Sequence, residues 1–334
     1  MKIQTITIIL SIILIQSCKL GTTGTTMNEN ISANLKAEIN ELDKKVLKAI
    51  TENNVDDLKS LMSSKLLEKN GSEIEQLIEQ VSGIIESSEY KVIDQYFARN
   101  STSGLGNTVM SGISGINDYI IQYQALNDEM FLSLILPENG NDEFLITNIY
   151  GKYPEGWRLN ILQFGQYTVN GKTAPQLYQQ AKIEYEKGYL IDAVNNMFLS
   201  SRVTNPANKF WKYQKEDEFR EFYDKVLKEV SENYNFPMTI SEVKSEPQVL
   251  NIFPLGMNEG YFPMIEYLTK IDLKDTIQTK IENDAIHKII GDKFKGIDKD
   301  KNYIFYKAFS RMPDGKTEVP TYGFVKKLKK DNGD

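Results

Sequence analysis

The chain has 334 residues, with 46 acidic and 39 basic side chains, a net charge of −7, 40% apolar residues and 25% charged residues. This length and balance place it among folded chains of more than one structural unit and exclude a disordered or fibrous protein. The acidic surplus, with no long basic run, also excludes a nucleic-acid partner, because such a surface is repelled by phosphate backbones.

Lys2 is followed by the apolar run ITIILSIILI at residues 6–15, broken only by Thr7 and Ser11. It falls short of the roughly 20 residues that a spanning helix needs, and it suits the apolar region of a secretory signal. The run closes on Ile15-Gln16-Ser17-Cys18, and Cys18 is the only cysteine. This junction resembles the lipobox of bacterial lipoproteins (aliphatic, variable, small, cysteine). Ile15, Ser17 and Cys18 match, and Gln16 stands where a small residue is commoner. The resemblance implies that residues 1–17 are a cleaved signal peptide and that Cys18 carries diacylglycerol, with membrane lipid as its partner. A structural thiol is not expected inside a cleaved signal, and a catalytic thiol would need histidine support, whereas the one histidine is at 287. Lys19 follows the cysteine, where an aspartate would signal inner-membrane retention. The expected location is therefore the cell envelope, at the outer membrane rather than the inner. Residues 18–30, rich in Gly, Thr and Asn, read as a flexible tether of roughly 20 Å root-mean-square span.

Helical periodicity begins at Ile31 and continues through Leu35, Ile39, Leu42, Val46 and Ile50. A second helix is expected over Leu58–Leu67. A third is expected from Ser72 as cap, with Glu75 completing a capping box. After Glu89 the period becomes two, which predicts strands at 90–99, 118–126, 129–136, 143–152 and 157–168. Turns are expected at Asn139-Gly140 and Pro154-Glu155-Gly156, with Trp157, Leu159 and Ile161 on one face of the last strand. The Gly- and Ser-rich segment 101–115 reads as a mobile loop, or as a lid over the pocket of the first domain. Helices followed by a sheet ending in GWRLNIL resemble the nuclear-transport-factor-two/ketosteroid-isomerase superfamily. The phrase VLKAITENNVDDLKSLMSSKLLE is similar to the opening helices of that superfamily. The resemblance implies a cone-shaped α+β domain over 31–172 with a pocket between sheet and helices. Enzymes of the superfamily carry a pocket Asp, often with His or Tyr, and this region has no His.

Residues 173–234 turn helical, with Pro175 at a helix start. AKIEYEKGYLIDAVNNMFLSSRVTNP resembles one tetratricopeptide hairpin, with Ala181, Tyr185, Gly188, Ala193 and Pro206 in place. A single copy reads as a hairpin packed on its neighbours. Residues 235–330 read as a small α+β unit. Two extended segments carry Pro254 and Pro263, which favour sheet edges. A helix over 273–294 has Ile277, Ile281, Ala285 and Ile289 as its stripe, and two strands flank MPDGKT. The expected fold class is thus α+β: N-terminal helices on a curved antiparallel sheet, a helical hairpin in the middle and a C-terminal α+β unit.

Catalytic motifs fail on spacing. Gly-Lys-Thr at 171–173 and 315–317 has Gln166 and Ser310 where a phosphate loop needs glycine. Asp298, Asp300 and Asn302 open like a calcium loop, but Tyr303 and Phe309 occupy its glycine and glutamate positions. Ser88 and Lys91 lack the partner motifs of penicillin-binding enzymes. His287 alone cannot build a zinc site and reads as a surface residue. Glu216-Asp217-Glu218 reads as a solvated helix face. The aromatics of 303–324 read as core and cross-strand pairs, with an exposed stacking surface as the alternative. No catalytic residue, metal ligand or cofactor is expected. The expected function is a lipid-anchored envelope module that binds a ligand or protein without catalysis, a small apolar ligand being one candidate. The alternative is an enzyme or small-molecule carrier using the pocket of 31–172.

Overall fold

The computed structural model describes residues 22–328 except 139 and 141. Cys18 and its lipobox therefore lie outside the described residues, as do Asn139 of the expected turn and residues 329–334. The chain is α+β, as its patterning predicts. No helix among the described residues is long and apolar enough to cross a membrane.

The main sheet has the order β1(Thr22–Met27)-β2(Tyr90–Asn100)-β5(Glu129–Pro137)-β6(Phe144–Tyr153)-β7(Gly156–Gln166), antiparallel throughout. Among the described residues four helices precede β2: α1(Ala33–Thr51), α2(Val55–Leu61), α3(Ser64–Asn70) and α4(Ile74–Ser82). Ile39, Val46, Leu47 and Ile50 of α1 pack with Leu58 and Ile78 on Phe131, Ile135, Ile146 and Leu159 of the sheet. Burial of each such side chain contributes about 1.5–3 kcal/mol. The opposite face, with Tyr96, Met130, Leu132, Leu134 and Ile149, is covered by a second layer. That layer comprises a small sheet, β3(Gly106–Met110)-β4(Tyr119–Gln124)-β8(Trp211–Tyr213), and three helices, α5(Ala174–Glu186), α6(Leu190–Arg202) and α7(Glu216–Asn233). β5 is therefore covered on both faces, which explains its apolar run MFLSLIL, broken only by Ser133.

Several expectations are corrected. The tether of 18–30 is shorter than its composition suggests, because Thr22–Met27 pair with β2 as an edge strand and Asn28–Asn30 form a 3-10 turn. The second helix is cut in two at Met62, which forms a parallel bridge with Leu159 on the edge strand β7, and the Ser63 N–H donates to the Leu159 carbonyl at 2.9 Å. α4 starts at Ile74 after Glu73 without a side-chain cap, so the box from Ser72 is not formed. Segment 101–115 is not a lid. It contains β3, and Asp118 ties down the following turn by accepting the Ser114 and Gly115 N–H groups at 3.2 and 2.6 Å. In β7 a bulge places Asn160 as an extra residue between Leu159, opposite Tyr150, and Ile161, opposite Ile149. Trp157 and Leu159 therefore face the N-terminal helices, while Ile161 packs on the other side. No break in the core separates 31–172 from 173–234, since β8 pairs with β4 and Tyr119 stacks on Trp211 at 3.8 Å between ring centroids.

The C-terminal sheet has the order β13(Thr321–Lys327)-β12(Tyr303–Phe309)-β11(Gly260–Leu268)-β10(Gln248–Met257)-β9(Met238–Thr239), with α8(Thr276–Lys293) linking the parallel pair β11 and β12. Pro254 and Pro263 face each other across β10 and β11. They sit where the outer side of each strand is unpaired, since β9 reaches only Gln248 and Val249 and β12 begins at Met264. The α8 stripe is also corrected. Ile277 and Ile281 are 70% and 55% exposed, whereas Thr279, Glu282, Asn283, Ile286 and Ile290 face inward. Two apolar stripes compete on this helix, and the sheet selects the one that continues into Phe294 and Ile297 of the core. Of the terminal aromatics, Tyr306 and Phe309 are buried, while Tyr303 and Phe305 are half-buried and pack around Phe262.

Candidate ligand-binding cleft

A cleft of about 390 Å³ opens between the α5–α6 hairpin and the C-terminal sheet. Its walls follow from local sequence. Asn170, at φ 50°, and Gly171, at φ 71°, close a two-residue turn between Val169 and Lys172. Thr173 then caps α5, its N–H donating to Gln176 Oε1 at 2.9 Å in the capping box. Gly188, at φ 78°, turns the chain from α5 into α6. The opposite wall is Pro254, Tyr261 and Pro263 of the β10–β11 hairpin, and residues 299–301 close one end.

Buried polar groups converge here. Glu184 of α5 and Asp192 and Asn195 of α6 are each 8% exposed. Lys301 Nζ donates to Asp192 Oδ2 at 2.7 Å, to the Gly296 carbonyl at 2.7 Å and to the Lys299 carbonyl at 2.8 Å, so its three protons are all used. Burial pushes the Asp192 carboxyl up to about 6 despite the opposing pull of the Lys301 charge. Glu184 Oε1 accepts from Gln180 Nε2 at 2.5 Å, and its other oxygen lies 3.6 Å from Lys187 Nζ. The Asn195 amide borders the cleft and makes no hydrogen bond within the described residues; the neighbouring Asn196 amide makes none either. Neither amide is sealed from solvent, so in the free protein the water of the cleft serves as the partner of both.

A second polar cluster lies in the layer between α1 and the main sheet. Asp43 is fully buried, and three side chains donate to it: Ser133 Oγ at 2.6 Å, Asn148 Nδ2 at 2.8 Å and the Tyr150 hydroxyl at 2.7 Å. Burial pushes its carboxyl up to about 6, and the three donors limit the rise. Burial and the Asp43 charge raise the Tyr150 hydroxyl. Sequence reasoning passed over Asp43 although a signal was present. It sits four residues after Ile39 and three before Val46, on the stripe that faces the core. Ser133 and Asn148 likewise occupy inward positions beside Phe131 and Ile146. The interior expected to hold a pocket is thus filled by aliphatic side chains around one carboxyl group that solvent does not reach.

The residues tested for chemistry from sequence are scattered. His287 is half-buried rather than on the surface, with Nδ1 2.9 Å from the Tyr306 hydroxyl, and burial lowers its proton affinity. Lys91 pairs with Glu143 at 2.5 Å. Asp217 and Glu218 sit in the first turn of α7, paired with Lys212, Arg220 and Lys215. Asp300 reaches the cleft rim, and the first Gly-Lys-Thr forms the turn and cap at its mouth. The cleft itself was not visible beforehand, because its two walls are separated by more than 50 residues in sequence. Comparison with known proteins returns no matching family model, no matching curated protein and no matching solved structure.

Proposed function

We propose that this chain is an envelope lipoprotein, held to a membrane by diacylglycerol on Cys18, whose body binds a small molecule without transforming it. The Ile15–Cys18 junction supports the anchor, and Lys19 favours the outer membrane. Only residues 19–21 separate Cys18 from the first residue of β1. Four Cα steps reach at most about 15 Å, so the body lies against the membrane surface rather than clear of it. The observation that carries the binding reading is Asn195, a buried amide bordering a cleft with no partner of its own. A side chain so enclosed, with no protein partner at the cleft, is free to bond a ligand in place of the water that serves it in the free protein. The buried charge pair of the cleft, Asp192 and Lys301, is closed on itself, which suits holding a ligand better than proton transfer. Acid–base chemistry at Asp43 has the inward carboxyl group it requires but no access for a substrate.

Two measurements test this reading. Cys18→Ala is expected to abolish incorporation of labelled palmitate, and undiminished labelling would refute the anchor. A thermal-shift screen of small molecules on wild type and Asn195→Leu is expected to find compounds that stabilise only the wild type. A screen without any shift dependent on Asn195 overturns the cleft as a binding site.

A further inference from the structure

The chemistry of the cleft narrows the class of its ligand. Its lining carries three carboxylates, Glu184, Asp192 and Asp300, and three ammonium groups, Lys172, Lys299 and Lys301, so its formal charge is zero. The deep charges are spoken for. Lys301 has no proton left for a phosphate or carboxylate, and a cation reaching Asp192 would meet a charge that Lys301 already neutralises at 2.7 Å. Lys172 and Lys299 stand at the exposed rim, where water and salt weaken any hold on an anion. The free polar groups are of another kind. The Asn195 and Asn196 amides each offer donors and an acceptor, and Asp192 Oδ1, unlike Oδ2, is not engaged by Lys301. A hydroxyl both donates and accepts, so a set of adjacent hydroxyls satisfies these groups without bringing a charge. Facing them, the Tyr261 ring stands beside Pro254 and Pro263 as an apolar wall suited to the C–H face of a sugar ring. The volume lies at the lower end of the roughly 300–1,000 Å³ typical of small-molecule sites.

We propose that the cleft binds a small neutral saccharide, a mono- or disaccharide, with Asn195, Asn196 and Asp192 bonded to its hydroxyls and Tyr261 against its ring. This rests on the reading of the cleft as a ligand site. Full-length protein in a detergent without a sugar headgroup is titrated calorimetrically with neutral probes (glucose, galactose, N-acetylglucosamine, maltose, cellobiose) and charged ones (glucuronate, glucosamine, glycylglycine). At least one neutral saccharide is expected to bind, and binding is expected to weaken at least tenfold in Asn195→Leu and in Tyr261→Ala, both checked for native circular dichroism. If no neutral saccharide binds, or if binding is indifferent to Asn195, the saccharide assignment is overturned. In that event, an Asn195-dependent thermal shift with another compound leaves the cleft standing as a site for a different class, whereas the absence of any such shift removes both.

Discussion

Replacing Asp43 by asparagine is expected to change how stability depends on pH more than it changes the fold. The carboxyl titrates at about 6 in the folded chain against an ordinary 3.8, so the folded state binds its proton more tightly than the unfolded state does. A raised folded value means that the contribution of Asp43 is fully present below the unfolded value and is lost as pH rises through about 6. A shift of about two units is worth roughly 3 kcal/mol at 1.36 kcal/mol per unit. Asparagine keeps the shape, does not titrate, and can be accommodated by the Ser133 and Tyr150 hydroxyls, which accept as well as donate. The assay is urea unfolding of both proteins from about pH 4 to 8, followed by fluorescence of Trp157, which packs in the same layer. Other carboxyls titrate equally in both chains, so the difference isolates this site. Wild type is expected to lose roughly 2.5 kcal/mol relative to Asp43→Asn across that range, the rest lying below pH 4. Parallel pH profiles would refute the reasoning. Asp43→Leu is the harsher control: it strips the acceptor from three buried donors and is expected to destabilise by about 3–5 kcal/mol at any pH.

Lys301→Met leaves Asp192 buried without its cation. It is expected to lower stability by about 3–5 kcal/mol in denaturant unfolding, with most of the loss recovered when Asp192→Asn is added. Asn195→Leu removes an amide without a protein partner and improves helix propensity by about 0.5 kcal/mol, so the melting temperature of the unliganded protein is expected to rise by about 1–2 °C; a fall would show that Asn195 serves packing. Gly165→Ala would place a Cβ 2.3 Å from the carbonyl oxygen of Pro206, a backbone atom that cannot rotate aside. A destabilisation of about 1–3 kcal/mol is expected, read as a lower melting temperature.

Much of the architecture was legible because it depends on neighbours in the chain. The stripe through Ile39, Val46 and Ile50, the alternation of β4 and the strand lengths of β5 and β6 follow from local period, and the helix start at Pro175 follows from the fixed φ of proline. Where two local solutions competed, tertiary packing chose. It rotated α8 away from its Ile277–Ile281 stripe, inserted Asn160 as a bulge in β7, recruited Thr22–Met27 into the sheet and turned residues 106–110 of the Gly- and Ser-rich segment into a strand. Both candidate sites belong to this second class. The donors to Asp43 come from 90, 105 and 107 residues away. Lys301 reaches Asp192 across 109 residues. Periodicity and spacing report only which side of an element a residue occupies. Which distant groups meet there, and which buried amide is left without a partner, is decided by how the layers pack. The sequence by itself thus determined most of the elements, the fold class and the Cys18 junction on which the proposed membrane address rests, and only the tertiary structure supplied the cleft on which the proposed ligand reading rests.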